Sequence, residues 1–431
     1  MITSTKLSAS SPEAEERVRS EEEIGSFAFW NVNAIRPRLQ FNTTEITSFL
    51  KQHNPDLLFL SELRMIADPR SQSIPSSADK KSRDEQTLWN QALNIGVFKD
   101  YKVAGLSLHP SKRYAGTGVL VKKDKFNLVR GVTYDIPRVS GTTTLLSPAA
   151  STSSSSTSSS SKQKAKKTTP ALTSFFKAVP SPKEASSPPA KKQRLAGPQK
   201  HDSEGRVILL ELPDFFILHC YVPNNGGNQA SFERRQLWDK KVQEIFTKIK
   251  EEGGWKGEGG NMKEVFYCGD LNVTPDYLVD VSHPEWFRSK MPITGDPGNS
   301  GQPGCTPNEI ARFRSLLDSG GLVEVFRELN PFPHPPVGQD LPYIDITANV
   351  FTWRGSPGKD SPEMGRYYKK AMRIDLLLAT REGMRRVESV EITGGGVDNK
   401  DPSFMGSDHC AVIATLKGEE EMEKGGEKGG A

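Results

Sequence analysis

Four short apolar segments of this chain are bordered at one end by polar residues that can carry chemistry. Asn31 and Asn33 follow Phe27–Trp30, Glu62 follows Leu57–Leu60, Asp270 and Asn272 follow Val265–Cys268, and Asp408 and His409 precede Ala411–Leu416. Short apolar runs of this kind are typical of buried strands. Because strand ends in an α/β sheet share one rim, we expect these side chains to converge there. For any single carboxylate a turn or helix cap is the alternative, which four clusters together disfavour.

Helical patterns alternate with strand patterns along the chain. We predict helices over Thr43–Gln52 and Gln229–Lys250, and another that begins at the capping box Thr306-Pro307-Asn308-Glu309 and ends at Gly320 and Gly321. Further strands are predicted over Asp56–Leu60, Thr117–Lys122, Arg206–Leu212 and Phe215–Tyr221. This alternation predicts an α/β fold.

A low-complexity tract interrupts the pattern between residues 142 and 203. Its Ser, Thr, Pro, Ala and Lys residues cannot bury enough surface to fold. Because strands are predicted on both sides, we expect one folded domain over residues 26–417, interrupted by this disordered insert and flanked by disordered tails at 1–25 and 418–431. A second, shorter insertion is predicted from Ala67 to Asp84.

The net charge of +4 says little about the folded part of the chain. Residues 151–200 hold ten Lys or Arg and one Glu, and removing their +9 leaves the remainder at −5. Any nucleic-acid-binding face must therefore be local. No apolar run is long enough to span a membrane, and the N-terminal residues lack a secretory signal. The four widely spaced cysteines disfavour a zinc site or disulfides and favour a reducing compartment.

The carboxylates and amides at the strand ends predict a hydrolytic metal site. Glu62 and Asp408, with amide oxygens, form the oxygen-rich ligand set that Mg²⁺ prefers. Asp375 lies in the apolar run Arg373–Leu378, where a buried carboxylate needs a partner. A pair with His409 would supply that partner and orient the imidazole. The alternative for His409 is a partly buried histidine with a structural role. Tyr221, at the end of another strand, could likewise be a residue at the edge of the core.

The chain resembles the exonuclease III type, or class II, of apurinic/apyrimidinic (AP) endonucleases in the endonuclease/exonuclease/phosphatase superfamily. The motifs that carry the resemblance stand in the family's order from about residue 26 to 417: Trp30-Asn31-Val32-Asn33, Glu62, Tyr114-Ala115-Gly116-Thr117-Gly118, Gly205-Arg206-Val207-Ile208, Tyr221-Val222-Pro223-Asn224, Gly269-Asp270-Leu271-Asn272-Val273, Gly321-Leu322-Val323, Arg373-Ile374-Asp375 and Gly406-Ser407-Asp408-His409-Cys410. The GDLNV and GSDHC motifs are shared more widely, whereas YVPN, GRVI and RIDLLL point to the abasic-site branch.

The resemblance implies a four-layer α/β sandwich like that of DNase I, with two mixed β-sheets packed face to face and flanked by helices. It implies a Mg²⁺-dependent endonuclease of base excision repair. Such an enzyme hydrolyses the phosphodiester 5′ to an abasic site, leaves a 3′-hydroxyl, and has 3′-phosphodiesterase or 3′–5′ exonuclease activity. One alternative is a phosphodiesterase that mainly cleans blocked 3′ ends. The other is a non-catalytic, clamp-binding repair scaffold.

The resemblance also assigns roles to residues. Catalytic roles fall to Tyr221, Asp270, Asn272, Asp375 and His409; binding of Mg²⁺, or of Mn²⁺ as a substitute, falls to Asn33, Glu62, Asp270, Asn272, Asp408 and His409; substrate binding falls to Asn31, Tyr114, Asn224 and Arg373. Departures from the family pattern are Ser61 and Leu63 in place of Gln and Thr, Gly227 where some members have Arg, and Met372 in place of a common Trp. They bear on how the abasic nucleotide is held.

The expected partner is double-stranded DNA with abasic sites, bound by a monomer without membrane contact. The stretch Arg354 to Arg373, which includes Lys369 and Lys370, is predicted to face the DNA, with a solvated basic loop as the alternative.

Within the insert, residues 169–176 resemble the motif by which repair enzymes dock on PCNA-type sliding clamps. Leu172, Phe175 and Phe176 have the spacing that places three apolar side chains in one pocket, with a chance cluster as the alternative. A basic patch at Lys191-Lys192-Gln193-Arg194 indicates the nucleus, and a mitochondrial pool stays open.

Overall fold

The computed structural model describes residues 23–66, 79–135, 204–226, 228–257, 259–289, 295–331, 349–355, 367–396 and 399–418. Strands β1 to β15 span Ser26–Asn31, Leu57–Ser61, Tyr101–Ser107, Thr117–Lys122, Gly131–Thr133, Val207–Glu211, Phe215–Tyr221, Trp255–Lys256, Met262–Asp270, Leu322–Glu324, Trp353–Arg354, Ala371–Met372, Asp375–Thr380, Val387–Ile392 and Val412–Leu416. Helices α1 to α8 span Ile35–Phe41, Thr43–His53, Lys80–Asn94, Gln229–Glu252, Pro284–Arg288, Pro307–Gly320, Val325–Leu329 and Arg381–Met384.

The strands form two large mixed sheets. The first runs β14-β15-β1-β2-β4-β3, and the second runs β10-β13-β9-β7-β6-β5 with β8 beside β9. A buried cluster between the sheets joins residues such as Phe27 and Phe59 of the first to Ile217, Phe266 and Leu377 of the second. Burial of apolar surface on both faces of each sheet is the main force that holds such layers together.

Helices cover the outer face of each sheet. Trp30 and Leu58 of the first sheet pack with Ile35, Phe49 and Trp89 from α1, α2 and α3. A separate cluster joins the second sheet to α4 and α6. Helix, sheet, sheet and helix therefore form the four-layer sandwich, and the predicted fold class is confirmed.

Local signals placed most elements correctly. The capping box at α6 is present, because Thr306 accepts from the Glu309 N–H while Oε2 of Glu309 accepts from the Thr306 N–H at 3.2 Å. Gly321 ends α6 in a left-handed conformation at φ 61°. Among the described residues no helix is long and apolar enough to cross a membrane.

The C-terminal end of the predicted insertion from Ala67 to Asp84 is helical, because α3 begins at Lys80. Asp79 accepts from the Ser82 N–H at 2.8 Å and so caps the helix, and Glu85 is buried against Arg113. Residues 67–78, the insert at 142–203, the tail at 419–431 and most of the N-terminal tail lie outside the described residues.

Candidate active site

Five strand ends meet at one edge of the two sheets. Asn31 at the end of β1 lies opposite Ser61 of β2, the residue before Glu62. In the second sheet Asp270 of β9 lies beside Tyr221 of β7 and opposite Asp375 of β13. Because β13 runs antiparallel to β9, its first residue reaches the edge where β9 ends. The predicted convergence of polar strand ends is confirmed.

A cavity of about 210 Å³ lies at this edge. All six predicted metal ligands line it, together with Tyr221 and Asn224: Asn33, Glu62, Asp270, Asn272, Asp408 and His409. Trp353, Met372 and Ile374 form an apolar stretch of its wall. The cavity therefore offers acids, amides and one imidazole together with an apolar surface.

A buried chain of hydrogen bonds forms the inner side of the cavity. Nδ1 of His409 lies 2.7 Å from Oδ2 of Asp375, which confirms the predicted pair, and Nε2 of His409 lies 3.9 Å from Oδ2 of Asp270. Asn31 donates to the same Asp270 oxygen at 2.9 Å, and the Asn272 N–H donates to its other oxygen at 3.0 Å. Asp270 is thus held by two hydrogen bonds, and His409 lies close to the oxygen that Asn31 binds.

Burial and charge change the proton affinity of this inner group. Burial raises the pKa of Asp270, the nearby charge of Asp375 raises it further, and His409 opposes both. For His409, burial lowers the pKa, but the charge of Asp375 and the hydrogen bond to it outweigh burial and raise the pKa above its ordinary value. Burial, with the charges of Glu62 and Asp270, raises the pKa of Tyr221. Tyr221 is therefore a neutral phenol at physiological pH, and His409 favours the charged imidazolium.

The outer side of the cavity carries the remaining acids. The side-chain amide of Asn33 donates to Oδ1 of Asp408 at 2.7 Å, and the indole N–H of Trp353 donates to Oδ2 of Asp408 at 3.3 Å. Glu62 pairs with Arg64, whose Nε lies 3.0 Å from Oε1 of the carboxylate. The acids of this side are thus held in place by neighbouring donors.

Site residues occupy strained backbone conformations. Asn33, Glu62 and Asn272 have φ values of 43°, 58° and 50°, and Ala34 has φ 76° with ψ 113°. Asn tolerates a left-handed φ better than most residues, but Glu and Ala disfavour it, and such strain clusters at functional sites. Hydrogen bonds from the Ala34 N–H to the Glu62 carbonyl and from Ile35 to Leu63 hold the loop in place.

Replacement of Ala34 by glycine is expected to raise the free energy of unfolding by about 1 kcal/mol, because relief of a strained φ exceeds the added backbone entropy of the unfolded chain. Denaturant unfolding would measure it. Ala92, within α3, is the matched control, where the same change should lower stability. A less stable Ala34→Gly protein would contradict the assignment of strain.

The donor set fits a hard divalent cation. Glu62, Asp408 and Asp270 supply carboxylates and the asparagines supply amide oxygens, which is the chemistry that Mg²⁺ prefers. Oδ1 of Asp375 is buried and has no hydrogen-bond partner among the described residues. One ligand atom each from Asp270, Asp375 and His409 lie within 4.8 Å of one another. The site therefore has unfilled capacity for a cation or its water.

Sequence comparison identifies the family. The Endonuclease/Exonuclease/phosphatase family model matches residues 28–409, most of the chain and all of the cavity residues. The chain belongs to this family. The match confirms the prediction of a hydrolase.

Curated relatives carry the more specific name predicted above. A DNA-(apurinic or apyrimidinic site) endonuclease of Arabidopsis thaliana is 29% identical over 420 residues, which cover 95% of this chain and 90% of the relative. A relative of the same name in Plasmodium berghei is 36% identical, but the match covers 51% of this chain and only 38% of that protein. The resemblance to AP endonucleases is therefore confirmed.

A structural neighbour supports the fold. The crystal structure of AP endonuclease LMAP from Leishmania major superposes with a TM-score of 0.53 at 18% identity, and covers 95% of this chain and 93% of that one. At this identity the likeness concerns the fold alone.

Two predicted substrate-binding residues of this family member are not available to substrate. Arg373 is 0% exposed and pairs with Asp280 at 2.9 Å and with Glu324 at 2.8 Å, so the prediction was wrong for it. Asn31 is 1% exposed and binds Asp270, so it supports a site residue instead of touching DNA. In both cases a buried carboxylate binds the polar side chain, which is therefore not free to contact DNA.

The other predicted contacts differ in their placement. Asn224 is exposed and lines the cavity, whereas Tyr114, 40% exposed, lies outside it and bonds to Arg206. In the basic stretch, Arg354 is buried, which contradicts a direct DNA contact, while Lys369 is exposed and Lys370 half-buried. Lys359 and Arg366 lie outside the described residues, as do Leu172, Phe175 and Phe176.

The sequence interpretation missed Arg64 and Trp353 at the site. Arg64 follows Glu62 by two residues, so its place after the same apolar strand was a usable signal. Trp353 reaches Asp408 across 55 positions of the chain, and no local pattern marks that contact.

Proposed function

We propose that this protein hydrolyses the phosphodiester 5′ to abasic sites in duplex DNA, in base excision repair, and leaves a 3′-hydroxyl and a 5′-deoxyribose phosphate. The observation that carries the proposal is one cavity that Glu62, Asp408, Asp270 and His409 line together, with His409 bound to the buried Asp375 and 3.9 Å from Asp270. The names of the Arabidopsis and Plasmodium relatives support the substrate class.

The inner residues can perform the proton and charge chemistry of hydrolysis. Asp270, with both oxygens held by donors and its pKa raised, is placed to orient a water molecule and take its proton. The imidazolium of His409 and the neutral phenol of Tyr221 are hydrogen-bond donors that can bind phosphoryl oxygens where negative charge develops. Asp375 keeps the imidazole in one orientation.

Glu62, Asp408 and Asn33 would hold Mg²⁺, with Mn²⁺ as a substitute. When bound, the cation would supply a Lewis acid that stabilises charge on the phosphoryl oxygens. Arg64 neutralises Glu62 in the present structure and lies at the cavity wall, where it can bind a DNA phosphate.

The apolar wall favours a sugar without a base. Trp353, Met372 and Ile374 line the cavity beside Asp408 and His409. An abasic deoxyribose turned out of the helix can pack against these side chains, and it costs less to extrude because it has no stacking or pairing to lose. The same wall can accept a terminal 3′ fragment, which supports 3′-phosphodiesterase or exonuclease activity as a second activity.

The proposal is tested with three duplexes: one with an abasic analogue, one with a 3′-blocked nick and one undamaged. We expect cleavage 5′ to the abasic site in Mg²⁺ or Mn²⁺ and none in chelator, with the other substrates cut more slowly. Faster removal of the 3′ block would favour the end-cleaning alternative. No cleavage of any substrate by folded protein would favour a non-catalytic scaffold.

We also propose that residues 169–176 bind a PCNA-type sliding clamp and that the protein is located in the nucleus. A peptide spanning residues 166–180 is expected to bind a PCNA-type clamp, because Leu172, Phe175 and Phe176 can fill one apolar pocket from a short helical turn. Calorimetry would measure binding at micromolar concentrations. The double change Phe175→Ala with Phe176→Ala should remove binding in the full chain and leave cleavage of a short free duplex unchanged. Retained binding, or slow cleavage of that duplex, would contradict a separate tether.

A further inference from the structure

We propose that His219, which lies between the two sheets, is a positioning residue that fixes the metal ligand Glu62 relative to Asp270 across the interface of the sheets. The inference rests on the proposed function and deepens it, because it assigns a role in cation affinity to residues outside the cavity.

The imidazole of His219 touches the strands that carry three site residues. Nε2 lies 2.9 Å from Oγ of Ser61, the residue immediately before Glu62, and Nδ1 lies 3.8 Å from Sγ of Cys268, two residues before Asp270. His219 itself lies two residues before Tyr221 on β7. One ring thus joins β2 of the first sheet to β7 and β9 of the second.

The surroundings of the ring leave it little freedom. His219 is 0% exposed, and its ring lies 5.1 Å from that of Phe59, which shares the inward face of β2 with Ser61. A Cβ added at Gly269 would lie 3.0 Å from Cε1 and Nδ1 of the ring and would collide with the carbonyl oxygen of Cys220. The glycine before Asp270 therefore leaves room for the imidazole, which lies close to the backbone that carries Asp270.

Ser61 passes this constraint to the ligands of the first sheet. Its hydroxyl meets His219, while its carbonyl accepts from the Val32 N–H at 3.0 Å, between Asn31 and Asn33. The next carbonyl, that of Glu62, accepts from Ala34 at 2.9 Å. Glu62 has a strained φ of 58°, so its position depends on such neighbours. Burial lowers the pKa of His219 to about 3, so the ring is neutral and can both donate and accept.

The experiment measures Mg²⁺ affinity in Ser61→Ala, which removes one hydroxyl, and in His219→Phe, which keeps a planar ring without nitrogens. We expect both to raise the Mg²⁺ Kd by about tenfold, the usual effect of losing a group that orients a ligand. Calorimetric titration gives the Kd directly, and the Mg²⁺ concentration for half-maximal cleavage should shift in parallel. His219→Gln, which keeps hydrogen-bonding capacity, should recover part of the affinity.

Ser26→Ala is the matched control, because Ser26 is a buried serine at the opposite end of the first sheet. It should leave the Kd unchanged. If Ser61→Ala lowers the melting temperature but binds Mg²⁺ like the wild type, the imidazole only packs the core and the inference is overturned, while the proposed function stands. The result for His219→Phe is interpreted only if that variant folds. If it does not fold, the result for Ser61→Ala decides the test. A wild-type protein that binds no divalent cation overturns both.

Discussion

Replacement of Asp270 by asparagine is expected to slow cleavage of an abasic duplex by at least about a hundredfold, the usual contribution of a positioned general base. Asparagine keeps the shape of the side chain and can still accept one of the two hydrogen bonds from Asn31 and Asn272. It loses the carboxylate that can take a proton and the negative charge that faces His409 at 3.9 Å. Single-turnover cleavage at saturating Mg²⁺ would measure the chemical step.

The same change should not destabilise the protein. Because burial and Asp375 raise the pKa of Asp270 in the folded state, stability falls as the pH rises above the unfolded pKa, and the full loss is reached above the folded pKa, where the buried carboxylate is charged. A neutral asparagine avoids this cost, so the variant should melt at the same or a higher temperature in chelator. Asp100→Asn, an exposed acid on the loop before β3, is the control and should change neither quantity. Near-wild-type cleavage by Asp270→Asn would remove Asp270 from the mechanism.

The sequence predicted the fold where local signals were strong. The strand at Phe215–Tyr221, the start of α4 at Gln229 and the cap at Thr306 follow from alternation and capping chemistry, which act over a few residues. The start of α3 was missed because Asp79 and Ser82 lie in a polar stretch, and because the burial of Glu85 by Arg113 depends on a contact 28 positions away. Local patterns do not encode that contact.

The site followed the same rule. Acids after apolar strands predicted the cavity, and an acid within a strand predicted the Asp375–His409 pair, since a buried charge must find a partner. Applied to Arg373, that argument would also have found its buried partners, but a basic residue in an aromatic and lysine-rich stretch was interpreted as a DNA contact. Ser61 and His219 gave no signal, because their meeting depends on how two sheets face each other.

Replacement of Arg373 by methionine is expected to lower the free energy of unfolding by about 3–5 kcal/mol, the usual loss when one partner of a buried ion pair is removed. Arg373 and Asp280 are 0% and 1% exposed, and Glu324 is 7% exposed. Asp280 would keep Arg327 as a partner, but Glu324 would lose its nearest cation. Burial already raises the pKa of Glu324 and Arg373 opposes that rise, so the variant would leave a buried acid uncompensated. Urea unfolding would measure the loss.

A second change separates the lost charge pair from simple loss of packing. Glu324→Gln removes the acid but keeps an oxygen that can accept from the Arg327 N–H at the start of α7. The double variant Arg373→Met with Glu324→Gln has no uncompensated charge at position 324. Its free energy of unfolding should therefore recover part of the loss seen in Arg373→Met alone. Additive losses in the two single variants would show that the pair has no coupling and would contradict the argument.

The kinetic behaviour of Arg373→Met distinguishes a buried brace from a DNA contact. A residue that bound phosphate would, when neutralised, weaken DNA binding, flatten its salt dependence and leave the fold stable. Arg373 instead ties the start of β13 to Asp280, and its own N–H donates to the Asp280 carbonyl at 2.9 Å, two residues before Asp375. At a temperature where the variant is folded, we therefore expect wild-type KM and an unchanged salt slope. Any loss of kcat should come from displaced Asp375 and His409, and a raised KM with wild-type stability would restore Arg373 to the DNA interface.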